Sequence, residues 1–255
     1  MRRIIGFAAI LILILAVVGV SMGEDAQEMP TLVPEQPVLT VDLMDTPGPL
    51  TGIIIGIDPG HQTKANSEQE QIAPGSKETK AKTSSGTQGV KSRVPEYEVN
   101  LDVSLQLKSA LEAQGATVVM TRETNDVTIS NIERAQMMNE AGADLVLRIH
   151  CNGANDSSVH GIGLYVRKTG DCAEESYAAA AYILPAMAET TGAKANGIYE
   201  RDTYTGLNWS EVPAILVEMG YMSNPDEDRK LVDPDYQALL VNGIVDGVCA
   251  YFAGE

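Results

Sequence analysis

Short runs of apolar residues alternate along the chain with longer segments in which apolar residues recur every three or four positions. Such runs are typical of strands buried on both faces of a sheet, and the longer spacing is typical of amphipathic helices. Strands are expected at residues 53–57, 116–121, 144–150, 163–167 and 214–218. Helices are expected at residues 96–114, towards the end of 126–141, and at 173–190 and 234–252. This alternation predicts an α/β fold: a single domain with a largely parallel central sheet flanked by helices on both faces.

Residues 62–94 interrupt this alternation. The segment is polar, with Lys, Ser, Gly and Thr throughout and little periodicity. We interpret it as a long surface loop. Loops of this length are uncommon inside a compact domain and are often functional.

The N-terminal segment has the pattern of an export signal or of an uncleaved membrane anchor. Two arginines at positions 2 and 3 precede an apolar stretch, residues 4–22, which contains no acidic residue. The small residues Ser21 and Gly23 permit cleavage after residue 23, and the stretch is also just long enough to span a bilayer. Cleavage and anchoring therefore both stay open.

The composition changes after this segment. Residues 24–50 are rich in proline, acidic and small polar residues, which favours an extended linker over helix or central strand. The expected organisation is a signal peptide or membrane anchor at 1–23, a proline-rich linker at 24–50 and a catalytic domain at 51–255.

Composition and charge exclude a nucleic-acid-binding protein and a small disulfide-rich scaffold. Hydrophobic residues make up 44% of the chain, which is enough for a sizeable core. The net charge is 18 − 35 = −17. Binding to DNA or RNA relies on Lys and Arg to neutralise phosphates, so no nucleic-acid partner is expected. The 3 cysteines are too few for a disulfide framework.

Side chains capable of metal or proton chemistry stand where predicted elements begin or end. His61 follows the first strand, and His150 ends the third. Glu218 ends the fifth strand, and Glu96 opens the first helix. In open α/β sheets, sites form at the carboxyl ends of strands, so these side chains are expected at one edge of the sheet. Two His, one carboxylate and water form a common catalytic zinc shell, and a further carboxylate can act as general base.

Each of these residues also has an ordinary structural explanation. A single His after a strand is more often structural than a ligand. Glu218 could be held by a salt bridge or cap a backbone group. Glu96 could stabilise a helix N-terminus, where acids are favoured. It is the expected convergence at one sheet edge that favours a shared site.

The motifs, taken in order, resemble those of the zinc-dependent N-acetylmuramoyl-L-alanine amidases of the bacterial cell wall. The resemblance covers nearly all of the chain from 53 to 251. The matching pieces are IDPGH at 57–61, EYEVNL at 96–101, TR at 121–122 with Arg134, IHCN at 149–152, GIGLY at 161–165 and PAILVEMGYMSN at 213–224.

The resemblance implies a set of site residues and a cofactor. His61, Glu96 and His150 would bind Zn²⁺, and Glu218 would be the catalytic carboxylate. Glu96 is preferred over Glu98 because its spacing to the leucine at the end of the EYEVNL motif matches the family.

The resemblance also implies a reaction. The chain would be an exported cell-wall hydrolase that cleaves the amide between N-acetylmuramic acid and L-alanine through a zinc-activated water. Peptidoglycan would be its partner, with the membrane a second partner if residues 4–22 stay uncleaved. The protein would act outside the cell or in association with the wall. Two alternatives are another zinc amidohydrolase or peptidase that cuts stem peptides and, less favoured, a non-catalytic wall-binding module.

Two features depart from the family pattern. Cys151 directly follows a predicted ligand, but neighbouring residues of a strand point to opposite faces, so we expect a buried free thiol. Segment 62–94 is longer than its equivalent in many relatives; its lysines could meet an acidic wall polymer, although a solvated loop is the simpler interpretation.

His160 is expected to be exposed or structural. Free thiols are also expected at Cys172 and Cys249, with a disulfide between them left open.

Overall fold

The computed structural model of the protein describes residues 47–254. The predicted signal peptide or anchor at 1–23, and almost all of the predicted linker at 24–50, lie outside the described residues. Within 47–254, no helix has both the length and the apolar character that crossing a membrane requires.

The described domain is built from strands and helices that alternate along most of its length. The strands are β1 (Ile54–Pro59), β2 (Asn66–Gln71), β3 (Thr79–Thr83), β4 (Thr117–Met120), β5 (Leu145–Asn152), β6 (Ile162–Arg167), β7 (Ala195–Arg201) and β8 (Ala214–Tyr221). The helices are α1 (Glu96–Ala113), α2 (Asn131–Glu140), α3 (Ala173–Thr191), α4 (Thr205–Asn208), α5 (Pro225–Leu231) and α6 (Pro234–Ala253).

The central sheet has six strands in the order β4-β1-β5-β8-β6-β7. Neighbouring strands are parallel except β6 and β8, which are antiparallel. Helices α1, α3 and α6 pack against one face over the larger hydrophobic core. Helices α2 and α4 contribute to a smaller core on the other face. The predicted fold class, with a largely parallel sheet between two layers of helices, is confirmed.

The two faces of β5 show why its sequence is almost continuously apolar. Leu147 and Ile149 point into the larger core, and Val146 belongs to the smaller one. Because side chains alternate between faces, Arg148 and His150 share the face of Val146. The strand is therefore buried on both sides, and its polar residues lie on the face that α2 and α4 cover.

The interpretation of residues 62–94 as one long loop is wrong for residues 66–83. This part of the segment forms an antiparallel hairpin of β2 and β3, with Gln71 paired to Thr79. Both strands are polar on both faces, so they lack the alternation of apolar and polar residues by which a half-buried strand is recognised. The dipeptide Pro74-Gly75 at the tip, with Gly75 at φ 74°, is a turn signal that pointed to the hairpin.

Three further elements were not predicted. Strand β7 lies at the edge of the sheet and is half-buried or exposed along its length, so it has no apolar run. Helix α4 is a single turn. Helix α5 carried a readable signal, because Asn224 caps the backbone N–H groups of Asp226 and Glu227 and a proline occupies the first turn.

A buried polar cluster lies beneath the end of β1, centred on Asp58. Its Oδ1 accepts hydrogen bonds from Thr121 Oγ1 at 2.6 Å and Arg134 Nη1 at 2.7 Å. Its Oδ2 lies 3.0 Å from Arg148 Nη2. Burial raises the pKa of Asp58, but the positive charges of Arg148 and Arg134 and the hydrogen bonds outweigh it, so the pKa is held well below its usual range. The carboxylate is therefore ionised.

Two arginines fix the turn that follows β1. Arg134 donates to the carbonyl oxygens of Pro59 at 2.8 Å and His61 at 3.0 Å. Arg122 donates to Pro59 O at 2.8 Å and Gly60 O at 2.9 Å. His61 has φ 62°, a left-handed conformation that is unfavourable for a residue with a side chain. The guanidinium groups hold the backbone in this conformation.

The cluster predicts a large stability loss when the charge of Asp58 is removed. The change Asp58→Asn leaves buried guanidinium groups without their counter-charge and should lower the free energy of unfolding by about 3 kcal/mol. Urea denaturation followed by circular dichroism measures this. The control is Asp126→Asn, because Asp126 is exposed and its Oδ1 is 3.8 Å from Lys64 Nζ; little change is expected there. Equal stability of the two variants would contradict this account.

Candidate metal centre

His61, Glu96 and His150 lie together at the carboxyl-end edge of the sheet. One ligand atom from each lies within 4.8 Å of the others. Glu96 Oε1 is 3.2 Å from His61 Nε2 and 3.2 Å from His150 Nδ1. The two imidazole rings meet edge to face, with centroids 4.8 Å apart. The structure thus brings together three residues that are far apart in sequence.

Each of the three side chains comes from a different element, and glycines allow their close approach. His61 lies in the turn after β1, Glu96 is the first residue of α1, and His150 is in β5. A Cβ on Gly60 would overlap the imidazole of His150. A Cβ on Gly86, where φ is 77°, would lie 2.5 Å from Glu96 Oε2. Both positions therefore require glycine.

Further hydrogen bonds orient the cluster. His61 Nδ1 lies 3.1 Å from the carbonyl oxygen and 2.9 Å from the hydroxyl oxygen of Ser84, so Ser84 orients the ring with Nε2 towards Glu96. Glu96 Oε2 accepts from Thr87 N at 2.8 Å, and its Oε1 accepts from Cys151 N at 3.1 Å. Partners of this kind fix the tautomer and the direction of metal-binding side chains.

The protonation states of the cluster suit a metal ion. Burial raises the pKa of Glu96, but hydrogen bonds from His150 and His61 outweigh it and hold the pKa well below its usual range. Burial lowers the pKa of His150 more than the contact with Glu96 raises it. Ionised carboxylate and neutral imidazole are the forms that bind metals. In the described part of the chain, His150 Nε2 is buried without a hydrogen-bond partner. The donor set therefore fits a divalent cation.

Glu218 lies beside the cluster. Strands β5 and β8 pair His150 with Glu218, so the two side chains leave the same face of neighbouring strands about 4.8 Å apart. Both line a cleft of about 900 Å³ together with His61 and Glu96. Burial raises the pKa of Glu218 well above its usual value, and the negative charge of Glu96 raises it further. Its Oε2 is buried with no hydrogen-bond partner among residues 47–254. A carboxylate this poorly paired is typical of a functional site.

The other residues considered from the sequence lie outside the cluster. Glu98 is half-buried in the first turn of α1. Cys151 is a buried free thiol, as expected, and burial raises its pKa well above the usual value. Cys172 and Cys249 are also free thiols. His160 is exposed.

Two further parts of the cleft are segment 62–94, which was singled out from the sequence for its lysines, and Arg148, which was not. Segment 62–94 supplies one wall, through Lys80 of β3 and Ser84 after it. Arg148 lines the cleft from β5, next to Thr205 and the glycine that follows it in α4. A charged residue inside the otherwise apolar run 145–149 is a signal that could have identified Arg148.

Comparison with known proteins identifies the family to which this sequence is similar. Residues 55–250 match the family described as N-acetylmuramoyl-L-alanine amidase. The N-acetylmuramoyl-L-alanine amidase LytC of Bacillus subtilis is 31% identical over 204 residues, which are 80% of this chain and 36% of LytC. An N-acetylmuramoyl-L-alanine amidase of Mycobacterium tuberculosis is 29% identical over 222 residues, 82% of this chain and 90% of that protein. The chain thus spans little more than a third of LytC but most of the mycobacterial relative.

Solved structures agree with this assignment. The crystal structure of N-acetylmuramoyl-L-alanine amidase from Clostridium difficile superposes with a TM-score of 0.68 and 27% identity. The match covers 80% of this chain and 98% of that chain. The family match includes His61, His150, Glu96 and Glu218, and it spans the central sheet except for the first residue of β1. The chain therefore belongs to the N-acetylmuramoyl-L-alanine amidase family.

Proposed function

We propose that this chain hydrolyses the amide bond between N-acetylmuramic acid and L-alanine in peptidoglycan. In this proposal Zn²⁺ binds to His61, Glu96 and His150, and Glu218 carries the proton. The observation that carries the proposal is that the three-residue cluster shares one cleft with Glu218, whose buried Oε2 has no hydrogen-bond partner in the described part of the chain. The names of the relatives described above support the same substrate and bond.

The chemistry follows from the difficulty of the reaction. An amide is a poor electrophile, and its leaving amine needs a proton. Bound zinc supplies a Lewis acid that polarises the carbonyl and makes water more acidic. Glu218 takes a proton from the attacking water as the new C–O bond forms, and returns it to the amide nitrogen as the C–N bond breaks. The products are a carboxylate on the lactyl group of the sugar and the free amine of L-alanine.

The remaining contacts of the site keep this geometry in place. Ser84 holds the ring of His61 through Nδ1, while Thr87 and Cys151 donate backbone N–H groups to the two oxygens of Glu96. Because these donors come from fixed backbone, the ligand atoms are organised before a metal or substrate arrives. The cleft is open to solvent, which suits a polymeric substrate.

We further propose that the chain acts outside the cytoplasm, with residues 1–23 as an export signal or anchor, 24–50 as a linker and 51–255 as the catalytic domain. The support is the arginine-led apolar segment and the proline-rich stretch after it. The mass of the protein recovered from an expressing bacterium tests the first boundary. A mature N-terminus at residue 24 indicates cleavage, an intact chain in the membrane fraction indicates an anchor, and an intact chain in the cytoplasm would contradict export.

Replacing Glu218 tests its role as the proton carrier. Glu218→Gln should keep zinc bound and reduce hydrolysis of a muramyl peptide by roughly 10²- to 10⁴-fold, the usual contribution of a general acid–base group. Liquid chromatography with mass spectrometry measures the released peptide and also shows whether the cut falls before L-alanine or within the stem. Glu98→Gln is the matched control and should keep wild-type turnover. Wild-type turnover by Glu218→Gln would remove Glu218 from the mechanism.

Removal of the proposed ligands tests the metal site itself. His61→Ala and His150→Ala should lose most of the zinc that wild-type protein retains after dialysis, about one ion per chain, because two ligands hold the ion much less firmly than three. Inductively coupled plasma mass spectrometry measures the metal content. His160→Ala changes an exposed histidine and should retain full zinc. Full occupancy in either ligand variant would refute that ligand.

A further inference from the structure

Arg148 is a buried cation on the floor of the cleft. It precedes His150 by two positions in β5, so both side chains leave the same face of the sheet. Its side chain is only 6% exposed, yet it lines the same cleft as the metal cluster and Glu218. A charged group this deeply buried requires partners.

The structure provides Arg148 with few partners. Its guanidinium has five N–H donors, and within residues 47–254 it makes one ion pair, to Asp58 Oδ2, and no hydrogen bond. Its Nε is buried and unsatisfied, as is the hydroxyl of neighbouring Thr205. Unsatisfied buried donors are costly. Both groups therefore require a partner that residues 47–254 do not supply.

The counter-charge of Arg148 is also shared. Asp58 forms its shorter contact, 2.7 Å, with Arg134. Glu70 is the other acid whose charge acts on Arg148. However, the oxygens of Glu70 accept hydrogen bonds from Asn131 Nδ2 at 3.0 Å and from the backbone N–H of Ile132 in α2 at 3.2 Å. Among residues 47–254, Arg148 therefore has no carboxylate that it does not share with another group.

The position of the guanidinium is fixed by its surroundings. On one side lies Asp58, and on another lies Gly206 of α4, where any Cβ would overlap the guanidinium carbon and nitrogens. Arg148 is thus held in one place in the cleft lining, and some of its N–H donors have no acceptor among residues 47–254. A planar fork held in this way suits bidentate recognition of a carboxylate.

We propose that Arg148 is a specificity-determining residue that binds a carboxylate of the stem peptide, an inference that rests on the proposed function. Positions two apart on a strand are separated by roughly 7 Å, the length of about two residues of an extended peptide. A carboxylate bound by Arg148, while the scissile amide lies at His150, belongs to the residue after L-alanine. That residue is acidic in peptidoglycan stems. The hydroxyl of Thr205 supplies a further hydrogen bond to the same group.

The test compares two synthetic muramyl dipeptides that differ at one group. Both contain N-acetylmuramic acid and L-alanine, followed by a glutamate whose side-chain carboxyl is capped as a methylamide in both, and whose α-carboxylate is free in one and converted to the carboxamide in the other. The zinc-loaded wild-type chain should hydrolyse the free acid with kcat/KM roughly 10- to 100-fold higher, the usual contribution of a hydrogen bond to a charged group. Arg148→Met should lower this ratio to near one by losing activity on the acid.

Two variants separate recognition from a structural role. Gly206→Ala keeps the charge of Arg148 but displaces the guanidinium. This variant should therefore also reduce the preference for the free acid. It replaces Arg148→Met in the test if Arg148→Met fails to fold. Lys77→Met removes an exposed cation between β2 and β3 that lies outside the cleft lining, and it should keep the wild-type ratio. Metal content and urea denaturation of each variant show whether the site and fold survive.

The outcomes distinguish this inference from the function on which it rests. Equal hydrolysis of both dipeptides by the wild type would overturn the role of Arg148 and leave the amidase assignment standing. Loss of the preference in Lys77→Met would also overturn it, because the effect would then come from general positive charge. If the wild type cleaves neither dipeptide, both proposals are overturned.

Discussion

The geometry of the site depends on one buried carboxylate. Asp58 ends the apolar run of β1 beneath the sheet edge and pairs with Arg134 and Arg148, which come from distant parts of the chain. Such buried pairs add little net stability compared with apolar packing, but they are expensive to break, so they define one arrangement of the groups around them. Arg134 then reaches the turn that carries His61. The same ion-pair cluster thus supports a proposed metal ligand and a proposed substrate-binding residue.

The parallel sheet accounts for the rest of the arrangement. Its central strands place one set of side chains in the larger core and the other set on the face covered by α2 and α4. On that second face the residues change from apolar to polar towards the carboxyl ends, as Val146, Arg148 and His150 show in β5. The register of β5 with β8 then sets Glu218 beside His150. The proposed catalytic and metal-binding groups therefore gather at one edge because the pairing of the strands requires it.

Much of this could be predicted from the sequence, because buried parallel strands and amphipathic helices leave strong patterns. The strand ends also identified His61, His150 and Glu218 as neighbours. The hairpin of β2 and β3 left no such pattern, since its strands are held by contacts such as that of Glu70 with α2 rather than by an apolar face. The contacts of Ser84 and Thr87 with the cluster depend on that hairpin and on the path of the chain after it. Sequence spacing cannot reveal contacts of this kind.

The central claim is that two imidazoles and one carboxylate hold a single zinc ion. X-ray absorption spectroscopy at the zinc edge of the zinc-loaded chain tests this most directly, because it reports the atoms bound to the metal. We predict only nitrogen and oxygen neighbours, at about 2.0–2.2 Å, with the outer-shell scattering of two imidazole rings from His61 and His150. A sulfur neighbour at about 2.3 Å, which would place Cys151 on the metal, or the absence of imidazole scattering, would contradict the account.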